Sequence, residues 1–234
     1  MRGIFVWNCA KKSANYGSPS RIFVEKEIVM LLEYETTIVD VLEKFEMLHS
    51  PIADLPAPRT IAEYLAMPDG PPYYQFIHGV VKKMPSPTRI HQTLLQRLFL
   101  RLHIFVEQNA LGWTYFAPLD VYFDEKNYVQ PDILFVSHER EYILQTRIKG
   151  SPDLIVEILS PSNIADDVVD KKALYEGFGV HEYWIVNPMT ESIEVWANGE
   201  HGFVCVSRAE NGTGSVESRL LQGFSVDVAS IFAA

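Results

Sequence analysis

The pattern of this chain predicts an α/β domain: a mixed β-sheet flanked by helices and finished by a C-terminal antiparallel meander. Three observations carry that expectation. From about residue 59 onward, short β-branched and aromatic runs interleave with helical stripes. The run Leu154-Ile155-Val156-Glu157-Ile158-Leu159 is apolar on both faces of its period-2 alternation, as in a central strand covered on both sides. Finally, three runs at residues 182–186, 192–196 and 203–206 are punctuated by Asn187-Pro188, Asn198-Gly199 and, beyond them, Asn211-Gly212, the turn chemistry of a meander.

The 234 residues, 47% of them hydrophobic, suffice for one full core with an appended segment. No stretch approaches 18 consecutive apolar residues, so no transmembrane helix is expected. The first ten residues carry one basic side chain and a very short apolar run, too little for a secretory signal. Cys9 and Cys205 lie far apart, without disulfide-framework or zinc spacing, which fits a reducing cytoplasm.

Residues 1 to about 20 are polar and aperiodic. Between Glu25 and Glu63 the chain turns acidic, with nine Asp/Glu against three Lys/Arg, and Ile28, Leu31, Ile38, Leu42 and Phe45 suggest a helical stripe. Ser50-Pro51-Ile52-Ala53-Asp54-Leu55-Pro56-Ala57-Pro58 reads as a linker. Residues 1–58 are therefore expected to be an extension, and residues 59–234 the main domain. Thr60 with Glu63 three residues on marks a short capped helix. Residues 73–84 follow as a hairpin about Gly79. Leu94, Leu98, Leu102 and Val106, repeating at i+4, predict the clearest helix, with Gly112 beyond its end. Strands are expected at residues 113–123, 133–136 and 154–159, then a helix over about 165–178 opened by Ser160-Pro161-Ser162-Asn163. Tyr183, Trp184 and Trp196 are expected to fill the core.

Two acids stand where apolar strands should carry no charge: Asp132 at the start of one run and Glu157 in the middle of another. A buried carboxylate is costly unless compensated, most simply by a cation. Magnesium is often held by one or two carboxylates with waters and phosphate, and the Ile158 carbonyl could complete such a shell. Asp167, Lys171 and Tyr175, at i, i+4 and i+8, share one face of the helix that follows. Lys171 is thus either half of an exposed Asp–Lys pair or the lysine that a phosphoryl-transfer centre would need. His91, beside Gln92 at the start of the long helix, either faces a site or caps a turn.

The formal net charge of −10 speaks against nonspecific nucleic-acid binding. Its distribution is uneven. From Phe76 to Val106 there is no acid, while Lys82, Lys83, Arg89, Arg97 and Arg101 supply five positive charges. Either these bases pair with acids in the fold, or they form a positive face suited to a phosphate backbone.

These residues together resemble the Uma2 family, which is grouped with the PD-(D/E)XK nucleases. The matching pieces run in order over about residues 59–232. They are Tyr74-Gln75-Phe76-Ile77-His78-Gly79; Met84-Pro85-Ser86-Pro87 with His91-Gln92; Gln130-Pro131-Asp132-Ile133; and Pro152-Asp153-Leu154-Ile155-Val156-Glu157-Ile158-Leu159-Ser160-Pro161-Ser162. Asp167, Lys171 and Tyr175 follow, then Gly179-Val180-His181-Glu182-Tyr183-Trp184. The resemblance implies a restriction-endonuclease-like core in which Asp132 and Glu157 bind Mg²⁺ or Mn²⁺ and the partner is DNA. The superfamily lysine normally falls two residues after the Glu, where Leu159 stands. In this family the basic role moves to the following helix, which fits Lys171. Members tend to carry acids where Gln75 and His78 stand, so Gln75 is expected in an auxiliary role, bonding a metal-bound water without supplying charge.

The leading expectation is a Mg²⁺- or Mn²⁺-dependent DNA endonuclease. Asp132 and Glu157 would be metal ligands, Lys171 and Gln75 would act beside them, and Lys82, Lys83, Arg89, Arg97 and Arg101 would track the DNA backbone. Cleaving both strands would favour a homodimer. The alternative is a catalytically degenerate nucleic-acid-binding or regulatory protein on the same fold, for which the missing acids at Gln75 and His78 speak.

Overall fold

The computed structural model describes residues 56–68, 70–160 and 166–233, the last range without the side chains of residues 166–168. The expected helical stripe at residues 28–45, the linker up to residue 55, the opening turn at 161–163 and the Asp167 side chain lie outside the described residues.

The domain begins with a five-residue helix, α1 (Ile61–Leu65). Thr60 caps it by accepting a hydrogen bond from the Glu63 amide at 3.1 Å, and the Glu63 carboxylate accepts one from the Arg59 amide at 2.7 Å. β1 (Tyr74–Ile77) and β2 (Val80–Lys83) form the expected hairpin. His78 and Gly79, at φ 54° and 79°, make its two-residue turn, a conformation that favours glycine. α2 (Arg89–Gln108) is capped by Thr88 and buries Leu94, Leu95, Leu98, Leu102 and Val106, the predicted stripe.

β3 (Gly112–Phe116), β4 (Val121–Asp124), β5 (Asn127–Val129) and β6 (Ile133–Ser137) follow. The single strand expected over residues 113–123 is instead two strands in different sheets. Pro118, which has no N–H to offer a ladder, breaks the run, and the Ala117 amide donates to the Asp132 carbonyl at 3.0 Å. β7 (Ile148–Lys149) and β8 (Leu154–Ile158) complete this half.

The helix expected over residues 165–178 also differs. Asp166–Lys171 forms a π-helical turn, and α3 (Lys172–Gly177) continues from it. The wider turn rotates the residues after it relative to an uninterrupted α-helix. β9 (Glu182–Asn187), β10 (Ser192–Gly199) and β11 (Gly202–Ala209) form the meander, and β12 (Ser215–Glu217), β13 (Ser225–Asp227) and α4 (Ala229–Phe232) end the chain.

Two sheets result. One is six-stranded, in the order β11-β10-β9-β8-β6-β3, with β8 and β9 parallel and the other neighbours antiparallel. The other is five-stranded, in the order β2-β1-β5-β4-β7. β8 is buried along its whole length, as its sequence predicts. Its Leu154, Val156 and Ile158 pack with α2, Trp184 and the C-terminal residues Val226 and Ile231. Its Ile155 faces the other way, into a second cluster with Ile77, Val121 and Val129 of the five-stranded sheet and Leu174 and Tyr175 of α3. The outer face of the five-stranded sheet packs Tyr74, Phe76 and Tyr128 under Ile61 and Tyr64 of α1. Each large side chain sealed this way contributes about 1.5–3 kcal/mol.

Glu182 is a buried acid of another kind. It accepts from Trp184 Nε1, Ser218 Oγ and the amides of Arg219 and Leu220, at 2.7 to 2.9 Å. Four donors satisfy its carboxylate, and in doing so they pin the C-terminal segment to the central sheet. Among the described residues no helix is long and apolar enough to cross a membrane.

Candidate functional site

The antiparallel register of β6 and β8 pairs Ile133 with Val156 and Leu134 with Ile155. One residue further, Asp132 falls opposite Glu157. Facing Cα atoms in such pairs are about 4.5–5.5 Å apart and their side chains leave the same side of the sheet. The two acids therefore share a face, the one that looks toward α3 and the five-stranded sheet. Both line a cleft of about 330 Å³ with His91, Gln130, Ser160 and Lys171; Met84, Pro85 and Pro87 form part of its wall.

Glu157 is 2% exposed. Tyr175 Oη donates to its Oε1 at 2.6 Å, and Lys171 Nζ lies 2.9 Å from its Oε2. The compensating cation that a buried carboxylate demands is thus present as a side chain, and Lys171 is equally buried. Of the two readings of Lys171, the exposed helical pair is excluded. Asp132 accepts at one oxygen, Oδ2, from the Ile158 amide at 2.7 Å, and His91 Nε2 lies 3.1 Å from the same oxygen.

His91 resolves its two readings in the same way: Thr88 caps its amide, while its ring faces the acids. Burial pushes its imidazole pKa down, but the hydrogen bond to Asp132 and the charges of Asp132 and Glu157 outweigh this, and the net shift is upward. Among the described residues its buried Nδ1 has no hydrogen-bond partner. His91 and Tyr175 join the site: the sequence left His91 between facing a site and capping a turn, and set Tyr175 on the face of Lys171 without a role of its own. The signals were present, the Thr88-x-x-His91 cap and the four-residue step from Lys171 to Tyr175, but neither distinguishes a site residue from an ordinary helical one.

Gln75 is 2% exposed, and among the described residues its Oε1 has no hydrogen-bond partner. It pairs across the hairpin with Lys82 and lies on the strand face of Ile77, which belongs to the same internal cluster as Ile155. Lys82 Nζ lies 3.2 Å from Asp170 Oδ2, tying the hairpin to the turn that carries Lys171. The other basic residues separate. Arg97 donates to the carbonyls of Ile231, at 2.8 Å, and Ala233; Arg101 donates to those of Arg97 and Ser230, at 2.7 and 3.3 Å. Both arginines fasten the C-terminal helix to α2. Lys83 and Arg89 are exposed, next in sequence to the cleft residues Met84 and Thr88.

Among the described residues no group of three or more His, Cys, Asp and Glu side chains is disposed to hold a metal. The donor set that remains is two carboxylates and the Ile158 carbonyl, all hard oxygens. That set fits Mg²⁺ or Mn²⁺, which keep several water or phosphate ligands, and does not fit a closed structural zinc site.

Comparison with known proteins agrees with this architecture. Among curated proteins no sequence matches this one. A crystal structure from Anabaena variabilis ATCC 29413, described as "a putative nuclease belonging to DUF820", superposes with a TM-score of 0.63 at 18% sequence identity. The match covers 75% of this chain and 98% of that one, a likeness of fold. The model of the family Uma2, described as "Putative restriction endonuclease", matches residues 61–229. With its mixed sheet, its paired strand acids and a match over most of its length, the chain belongs to the Uma2 family.

Proposed function

We propose that this domain is a divalent-metal-dependent endonuclease that hydrolyses phosphodiester bonds in DNA. The observation that carries the reading is the placement of Asp132 and Glu157 opposite each other on one sheet face, in one cleft, with Lys171 beside them. Asp132, Glu157 and the Ile158 carbonyl would hold Mg²⁺ or Mn²⁺. Such an ion lowers the pKa of bound water and offsets negative charge on a phosphoryl oxygen.

The chain's own residues do the rest. Lys171 supplies a fixed positive charge for a phosphate oxygen, pre-oriented by its bond to Glu157. Tyr175 holds Glu157 in one rotamer, and the Ile158 amide and His91 do the same for Asp132. The Gln75 carbonyl oxygen is a buried acceptor suited to a water in the site. Lys83 and Arg89 offer backbone-phosphate contacts near the cleft, whereas Arg97 and Arg101 hold the helices on which the cleft is built. Cutting both strands of a duplex would require two such sites, hence a homodimer.

A second reading keeps the fold without the cleavage: a nucleic-acid-binding or regulatory protein. Gln75 stands in place of an acid, and both Glu157 oxygens are engaged by Lys171 and Tyr175, which favours this alternative. One experiment separates them. Supercoiled plasmid is incubated with the protein and Mn²⁺, alongside Asp132→Ala and Glu157→Ala variants. The endonuclease reading expects nicking or linearisation by the wild type alone. Cleavage surviving both substitutions would move the site elsewhere, and retention of plasmid on native gels without cleavage would favour the binding protein.

A further inference from the structure

The five-stranded sheet has two faces, and the candidate active site occupies only the inner one. Val121, Val129 and Ile148 point inward, so their neighbours in register, Tyr122, Tyr128 and Lys149, point outward. There, beyond the edge of α1, lies a second cavity of about 520 Å³, lined by Leu65, Tyr122, Tyr128, Gln145, Thr146, Arg147 and Lys149.

Its lining is rich in donors and short of acceptors. Among the described residues the acid beside it, Asp120, is already engaged: Oδ1 accepts from Gln130 Nε2 at 2.7 Å and Oδ2 from Arg147 Nε at 3.1 Å. Beyond the contact with the Tyr128 hydroxyl, the terminal nitrogens of Arg147 have no ion pair among the described residues, and Lys149 makes no hydrogen bond or ion pair among them. At the floor is Tyr128, fully buried, whose hydroxyl lies beside Asp120 and Arg147 without a hydrogen bond of good geometry to either. A buried hydroxyl left unpaired costs about 1–3 kcal/mol. The environment also pushes the Tyr128 pKa far up, through burial first and Asp120 second, so the group stays a neutral O–H donor. A guanidinium, an ammonium and a phenolic O–H converging on one cavity match the oxygens of a phosphate group. The half-buried ring of Tyr122 offers an apolar surface beside them.

From this geometry we infer that the outer face of the five-stranded sheet carries a second, non-catalytic site for a phosphorylated ligand, a nucleoside phosphate or the terminal phosphate of a nucleic-acid strand, held by Arg147, Lys149 and Tyr128. The site is separated from Asp132 and Glu157 by the sheet itself, and it stands whether or not the cleft cleaves DNA.

The test uses the full chain in EDTA, so that cleavage plays no part, with binding read by calorimetry. The probes are inorganic phosphate, a nucleoside 5′-monophosphate, and one short oligonucleotide with either a 5′-phosphate or a 5′-hydroxyl. Saturable binding of the monophosphate assigns the site to a free nucleotide. A preference of about tenfold or more for the 5′-phosphorylated strand, with weak monophosphate binding, assigns it to strand ends. Lys149→Met and Tyr128→Phe should each weaken the favoured probe by about tenfold. Tyr128→Phe should leave the melting temperature unchanged or raise it, because it removes an unpaired buried hydroxyl; a merely structural tyrosine would lower it. Absence of saturable binding by every probe, or binding indifferent to both substitutions, overturns the inference.

Discussion

Replacing Lys171 with methionine isolates the interaction on which the candidate site depends. The substitution keeps most of the side chain's length and removes its charge, leaving Glu157 in a pocket where it is only 2% exposed. Breaking a buried ion pair by deleting one partner costs about 3–5 kcal/mol. Tyr175 still donates to Oε1, so the lower end, about 3 kcal/mol, is expected. For a domain of this size that corresponds to roughly 6–12 °C in Tm. Urea denaturation followed by far-UV circular dichroism measures it. The double variant Glu157→Gln/Lys171→Met removes both charges while keeping an acceptor for Tyr175, and should recover about 2 kcal/mol of the loss. Mg²⁺ or Mn²⁺ should raise the Tm of Lys171→Met more than that of the wild type, because a cation would replace the missing charge. A single variant within about 1 kcal/mol of wild type, or a double variant no better than the single, would refute the claim that Lys171 is Glu157's buried counter-charge.

Three further outcomes are expected. If Gln75 has the auxiliary role proposed for it, Gln75→Glu should lower the Mn²⁺ concentration needed for half-maximal cleavage or thermal stabilisation by several-fold, read from a metal titration, since it would add a carboxylate to the metal's surroundings. Glu182→Ala should cost 3 kcal/mol or more by the same urea assay, because it leaves buried donors at Trp184 Nε1, Ser218, Arg219 and Leu220 without their acceptor. Arg97→Met should lower stability by about 1–2 kcal/mol through the lost carbonyl bonds at Ile231 and Ala233. It should also leave the salt dependence of DNA binding unchanged, whereas Lys83→Met should reduce that slope by about one.

Local pattern carried much of this fold. The i+4 leucines of α2, the two-faced apolarity of β8 and the Asn-Pro and Asn-Gly turns of the meander each record a periodicity or a turn geometry that the backbone must obey. Asp132 and Glu157 stood out because a charge in a buried strand is expensive, which makes it visible without knowledge of its neighbours. Sequence was blind where the outcome turned on a contact between distant segments. Nothing local separates Glu182, an acid satisfied by donors from residues 218–220, from Glu157, an acid that faces a cleft. Arg97 and Arg101 looked like part of a basic face because the carbonyls that occupy them lie some 130 residues away. The division of residues 113–123 between two sheets, and the π-helical turn before α3, follow from which partners each strand and helix end finds.

That turn has a consequence for how the cleft is completed. A lysine two residues after Glu157 would directly follow β8, where the residue 159 amide still bonds the Val186 carbonyl, and be set by the backbone that positions the acid itself. Here the positive charge arrives from a separate helical segment, whose approach is steadied by the pairing of Asp170 with Lys82 on the β1–β2 hairpin. Acid and base are therefore mechanically independent parts, joined by docking rather than by shared backbone. Residue 159, just past the end of β8, is thereby released to be leucine and pack in the core. In exchange, the hairpin becomes answerable for the position of a charge it does not carry, so a change at Lys82 would be felt at Glu157 without touching it.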